Sequence, residues 1–124
     1  GWKARACTAT VKEGVVTVRG TSDAPFLGIA TGKLAGNATV KFRVRSTAGG
    51  AGKVEWLPAP SSPDKARSVA FQVVGGDWQD ISADLPADGA LGILRLYLPA
   101  QNQAVKINWI ELNPDSGKPR RWDF

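Results

Sequence analysis

The sequence predicts an all-β protein, an antiparallel β-sandwich of about nine strands, on three observations. Turn-forming residues recur at the roughly 8–12-residue spacing typical of sandwiches and barrels. The segments between them are short and rich in Val, Ile, Thr and aromatics, and none carries a helical apolar stripe of useful length. The clearest segments alternate apolar and polar residues, the period-2 signature of a half-buried strand.

Strands are expected over 4–12, 14–19, 26–30, 38–46, 52–57, 68–74, 78–84, 92–98 and 105–112. The first carries Cys7, Thr8, Thr10 and Val11 up to a Glu13-Gly14 turn; Val15, Val16 and Val18 make the second, which a polar run from Gly20 to Pro25 ends. Phe26, Leu27 and Ile29 form the third, before Gly32 and the Ala35-Gly36-Asn37 turn. In the fourth, Val40, Phe42 and Val44 point one way and Lys41, Arg43 and Arg45 the other. Ala48 to Gly52 separates it from the fifth, which holds Val54 and Trp56, and Pro58 to Asp64 reads as a loop. Val69, Phe71 and Val73 make the sixth; Gly75-Gly76-Asp77 leads into the seventh, opened by Trp78 and closed at Pro86 to Gly89. In the eighth, Leu94, Leu96 and Leu98 share one face while Ile93, Arg95 and Tyr97 share the other. Pro99 to Gln103 turns into the ninth, where Val105, Ile107 and Trp109 oppose Lys106, Asn108, Ile110 and Leu112. An unbroken alternation makes that last strand apolar on both sides, so its second side needs a cover. The tail 118–124, with Trp122 and Phe124, can supply it. Phe42 and Trp109 are expected in the core, and Trp56 and Trp78 at its edge or on a ligand platform.

At 124 residues, 43% hydrophobic and 22% charged, the sequence fits one domain over 1–124 with no need of a disulfide or metal staple. No apolar run approaches the roughly 18 residues of a membrane span, so no membrane partner is expected. The sole cysteine, Cys7, excludes an internal disulfide framework. The lack of any Met suggests a chain cut from a longer protein. Sixteen basic residues against eleven acidic ones give a net charge of +5, which favours polyanionic partners. Nucleic acid is not among those expected, because the charge is dispersed and no reader motif accompanies it.

Catalytic chemistry is poorly supplied. Histidine is absent, which rules out triads and imidazole acid–base catalysis. Cys7 lies in an apolar strand and reads as a buried thiol. Asp23, Asp64, Asp77, Asp88 and Asp115 fall in turns; Asp80 and Asp84, in phase on one strand, are the only candidate carboxylate pair. The aromatics are more informative, since Trp and Tyr offer flat apolar faces with a polar handle, suited to stacking on a pyranose. Arg95 and Tyr97 face away from the Leu94/Leu96/Leu98 side, and an arginine fork beside a phenol suits a sulfate or carboxylate. If the strands of Arg43, Arg45, Arg95 and Tyr97 share a sheet, all four emerge on one outer surface. If they lie in opposite sheets, the arginines pair with Glu55, Asp80 or Glu111.

Several short motifs occur in an order that carries a resemblance. They are Asp-Ala-Pro-Phe-Leu-Gly at 23–28, Lys-Phe-Arg-Val-Arg-Ser at 41–46, Val-Glu-Trp at 54–56 and Gly-Asp-Trp-Gln at 76–79. Leu-Arg-Leu-Tyr-Leu-Pro at 94–99, Ile-Asn-Trp-Ile-Glu-Leu at 107–112 and Arg-Trp-Asp-Phe at 121–124 follow. Together they resemble the C-terminal β-sandwich of bacterial sulfatases. The resemblance implies a jelly roll of the galactose-binding-domain type, cut from the C-terminus of a larger, periplasmic or extracellular enzyme that desulfates polysaccharides. The sulfatase nucleophile motif is missing, since Cys7 is followed by Thr-Ala-Thr. Related modules hold a structural calcium, for which Asp23 is the candidate ligand. The expected function is that of a non-catalytic accessory module binding an anionic, sulfated polysaccharide through Arg95, Tyr97, Arg43, Arg45, Trp56 and Trp78. The alternative is a structural module that docks an apolar face on the parent catalytic domain.

Overall fold

The computed structural model describes residues 1–58, 65–86 and 90–124, and of Lys33 the backbone alone. The 59–64 part of the expected Pro58 to Asp64 loop, with Asp64, and the 87–89 part of the expected 86–89 turn, with Asp88, lie outside the described residues. Among the described residues, eleven strands form two antiparallel sheets. They are β1 (Lys3–Arg5), β2 (Cys7–Lys12), β3 (Val15–Gly20), β4 (Phe26–Ala35), β5 (Ala38–Ser46) and β6 (Gly50–Pro58). β7 (Arg67–Val73), β8 (Gln79–Leu85), β9 (Ala90–Tyr97), β10 (Ala104–Pro114) and β11 (Arg120–Asp123) complete the set. One sheet has the order β1-β4-β9-β6-β7 and the other β2-β3-β10-β5-β8, with β11 added on β10. The chain changes sheets at most connections, staying in one only at β2–β3, β6–β7 and β10–β11. This is the alternating connectivity of a jelly-roll sandwich.

The core follows the alternation in the sequence. Val40, Phe42 and Val44 of β5 and Leu94 and Leu96 of β9 are fully buried, and they meet Val16 and Val18, Val54, Leu27, Ile107, Ile110 and Leu112. Phe42 closes edge-to-face on Phe71 of the other sheet, their ring centroids 5.1 Å apart. Trp56 is 4% exposed and belongs to this core, so of its two expected roles it takes the packing one.

Two backbone irregularities decide where the apolar residues point. Ala6 has φ of 56° and divides the expected strand 4–12 in two, sending β1 to one sheet and β2 to the other. In β10 the pairing with β5 shifts register between Ile107 and Trp109, leaving Asn108 as an extra residue. A β-bulge of this kind reverses the phase of all that follows. Val105 and Ile107 therefore share the inside with Ile110, Leu112 and Pro114. Trp109, expected in the core, is instead turned outwards, where the Arg121 guanidinium lies 4.5 Å from its ring centroid.

The tail forms β11, which pairs with β10 over Trp109 to Leu112 where β3 has ended. Asn108 holds the junction: its Nδ2 donates to the Gly14 carbonyl at 2.7 Å, and its own carbonyl accepts from the Phe124 N–H at 3.4 Å. Trp122 packs edge-to-face on Trp2, with centroids 5.3 Å apart. The apolarity of 105–112 and the tail, which suggested a docking face, is thus largely consumed inside the protein. Among the described residues only Val11 and Val74 are large exposed hydrophobics.

Candidate functional site

The outer face of the five-stranded sheet carries the expected pair Arg95 and Tyr97, together with three residues from neighbouring strands. Register sets Phe26 of β4 directly opposite Tyr97, and Lys53 and Glu55 of β6 opposite Tyr97 and Arg95 on the other side. The Phe26 and Tyr97 rings pack 4.8 Å apart, tilted by 40°. Arg95 stands over the Phe26 ring at 5.3 Å and Lys53 over the Tyr97 ring at 4.6 Å, so each ring is met by one cation.

Glu55 joins these groups. Its Oε1 accepts from Arg95 Nη1 at 3.0 Å and from the Tyr97 hydroxyl at 3.4 Å, while Lys53 Nζ lies 3.8 Å from Oε2. The carboxylate side chain is only 15% exposed, against 33% for Arg95. Partial burial, followed by the negative charge of Glu55, raises the Tyr97 pKa above the ordinary phenol value, with Arg95 opposing. The phenol is therefore kept as a neutral hydrogen-bonding group through the whole physiological range. Sequence alternation found Arg95 and Tyr97; Phe26 and Lys53 were missed because only strand register brings them alongside.

Two depressions flank the aromatic pair. The first has a volume of about 420 Å³ and is lined by Lys3, Arg5, Phe26, Gly28, Ile93 and Arg95, among others. Its floor is low because Gly28 has no side chain, although a Cβ there would meet Phe26 at an ordinary 3.4 Å. The second is lined by Pro25, Gly52, Lys53, Tyr97 and Pro99. Gly52 is a different case, since a Cβ would fall 2.4 Å from the Phe71 ring, so that strand needs glycine.

Arg43, Arg45 and Trp78 are on the opposite face, correcting the expectation of one shared surface. β5 lies in the six-stranded sheet and β9 in the other, so Arg43 and Arg45 point away from Arg95 and Tyr97. Arg43 Nη1 is 2.9 Å from Asp80 Oδ1 and 5.9 Å from the Trp78 ring centroid. Asp80 and Asp84 sit four residues apart on β8, about 13 Å along a strand, beyond the roughly 5–10 Å at which two carboxyls flank a glycosidic bond. Thr39 occupies Asp84 by a 3.0 Å hydrogen bond. Cys7, expected as a buried thiol, is part-buried on an otherwise exposed strand; burial raises its thiol pKa, and its Sγ donates to the Phe26 carbonyl at 3.5 Å. Asp23 Oδ1 accepts from the Gln101 amide at 2.8 Å. Among the described residues no group of three or more His, Cys, Asp or Glu is placed to hold a metal.

No protein-family model matches the chain, and no curated protein does. Solved structures do match. PfGH50B aligns with 94% of this chain at a TM-score of 0.71 and 8% identity, and the chain spans 23% of PfGH50B. The C-terminal CBM6 of LamC, a marine laminarinase from Zobellia galactanivorans, has a TM-score of 0.63 and 19% identity over 90% of either chain. A family 29 carbohydrate-binding module from Piromyces equi gives 0.68 and 11%, over 87% of this chain and 76% of its own. Family 29 modules have been solved with cellulohexaose and with mannohexaose. At these identities the likeness establishes the fold, a β-sandwich shared with carbohydrate-binding modules. No helix among the described residues is long and apolar enough to cross a membrane.

Proposed function

We propose that this chain is a non-catalytic carbohydrate-binding module that takes a polysaccharide across the outer face of its five-stranded sheet. The observation that carries this reading is the Phe26–Tyr97 pair, flanked by two grooves and braced by Arg95, Lys53 and Glu55. Apolar ring surface bordered by fixed polar groups suits a sugar ring, which presents C–H faces and hydroxyl edges. Lys53 and Arg95 flank the carboxylate of Glu55, and Lys3 and Arg5 line the adjoining groove with Arg95, an excess of positive charge that supports a preference for anionic, sulfated glycans. The parent is a polysaccharide-active enzyme of sulfatase type, acting in the periplasm or outside the cell. That part rests on the sequence resemblance. Tethering would raise the parent's effective concentration on its substrate.

The test is affinity electrophoresis through gels containing sulfated or neutral polysaccharide. Wild-type protein is expected to be retarded most by sulfated polymer, less so as salt rises, because exposed charges are screened over about 8–10 Å. Tyr97→Ala and Gly28→Leu, the second filling the groove without a backbone clash, should be retarded less than wild type. Equal mobility of all three proteins on every polysaccharide would overturn the reading.

A further inference from the structure

The outer face of the six-stranded sheet carries a row of side chains that nothing in the fold requires. Register aligns Thr17 of β3 with Lys106 of β10, and Lys106 with Arg45 of β5. One step beyond the last β5–β8 pair, Val44 with Gln79, the row reaches Trp78. Three strands and the residue that leads into β8 thus contribute Thr17, Lys106, Arg45 and Trp78 in a line across the sheet, and they line a common depression with Lys12 at its border.

The charge pattern within this row is unfavourable. Lys106 and Arg45 are both exposed and directly opposed across two strands, an arrangement that destabilises a sheet. Elsewhere on the same face Arg43 is matched by Asp80 and Arg121 by Glu111 and Asp123, while Lys41 and Arg19 have no ion pair among the described residues but also no cation directly opposite. Among the described residues neither Lys106 nor Arg45 has an ion pair; Glu13, at the border with Lys12, is the one acid lining the depression. A like-charged pair kept side by side next to an indole is the arrangement that an incoming anion relieves.

We infer that Trp78, Arg45, Lys106 and Thr17 form a second ligand site, specific for an acidic sugar unit of a polysaccharide. The sulfate or carboxylate sits between Arg45 and Lys106, where charge-assisted hydrogen bonds are strongest. The sugar ring lies against Trp78, which the Arg43 guanidinium approaches to 5.9 Å from the ring centroid. The Thr17 hydroxyl is in reach of a sugar hydroxyl. Strand spacing of about 4.8 Å makes the row some 14 Å long from Thr17 to Trp78, enough for a short stretch of glycan. Nucleic acid suits it less, because Asp80, Asp84 and Glu111 interrupt the positive charge along the same face. The site is independent of the face bearing Tyr97, and the two together would make the module bivalent.

The experiment compares Arg45→Gln/Lys106→Gln and Trp78→Ala with Tyr97→Ala. Affinity electrophoresis uses chondroitin sulfate, its chemically desulfated form and a single-stranded oligonucleotide, with thermal unfolding run in parallel. The double variant is expected to bind chondroitin sulfate about tenfold more weakly, alone and in the Tyr97→Ala background, and to lose affinity by a smaller factor for the desulfated polymer, which keeps its carboxylates. Its unfolding temperature should be unchanged or raised, because the like-charge opposition is gone. Undiminished binding of the double variant to chondroitin sulfate would overturn the site. So would a loss confined to the oligonucleotide. Loss only on Tyr97→Ala would place all binding on the other face, so failure of this site is told apart from failure of the first.

Discussion

Side-chain direction is the property that alternation records most faithfully. Phe42, Val44, Leu94 and Leu96 are inside, and Arg43, Arg95 and Tyr97 outside, as a period of two dictates. Alternation says nothing about cross-strand partners, so the brace formed by Glu55 on Arg95, Lys53 and Tyr97 was legible only as one pairing among several. That brace has a measurable consequence. The Tyr97 pKa is raised by burial and then by Glu55, so the native state holds the phenolic proton to higher pH than the unfolded chain. Above the ordinary phenol value, about 10, the unfolded state binds fewer protons than the native one, and stability falls as pH rises. Below that value the contribution is complete. Wild type should lose more stability than Tyr97→Phe between pH 9 and the top of the accessible alkaline range, about pH 11. Taking the difference between the two proteins cancels the lysines and Cys7. Parallel stability–pH curves would show that Tyr97 is not held as described.

Elements were legible where turns are marked by residue type, and not where the backbone departs from regularity without such a marker. Gly14 and Gly49 announce turns with positive φ, 77° and 69°. Ala6 turns the chain from one sheet to the other with no residue that signals it, which is why 4–12 reads as one strand. The bulge at Asn108 is the costlier omission, since one inserted residue made β10 look apolar on both faces and suggested a docking surface. Asparagine serves there because its amide reaches the Gly14 carbonyl at 2.7 Å while its backbone receives the chain end. Asn108→Ala leaves that part-buried carbonyl without its partner and should cost about 1–2 kcal/mol in a urea titration. It should also redshift tryptophan emission as the cover over Trp109 loosens. An unchanged midpoint would mean that backbone pairing alone sets the bulge.

At the scale of the whole molecule, the assignment of strands to sheets decides which residues can act together, and sequence periodicity carries no information on it. Arg43 and Arg45 have the same in–out phase as Arg95 and Tyr97, yet they belong to opposite surfaces. The chain ends are what join these surfaces. β1 sits in one sheet and β11 in the other, and Trp2 meets Trp122 between them at 5.3 Å and 78°, with Arg120 donating to the Thr31 carbonyl at 3.0 Å. Gly1, Lys3 and Arg5, on either side of Trp2 in the chain, line the groove beside Phe26 and Arg95. An edge-to-face pair of this kind contributes about 0.5–1.5 kcal/mol beyond its buried area. A double-mutant cycle on Trp2→Ala and Trp122→Ala should recover a coupling in that range. Trp122 pairs with Ile110 in the sheet opposite the groove. Trp122→Ala should nevertheless weaken polysaccharide retention, because releasing Trp2 frees Lys3 and Arg5 from the groove wall. Wild-type retention by Trp122→Ala, together with a coupling near zero, would show that the two ends close the sandwich independently.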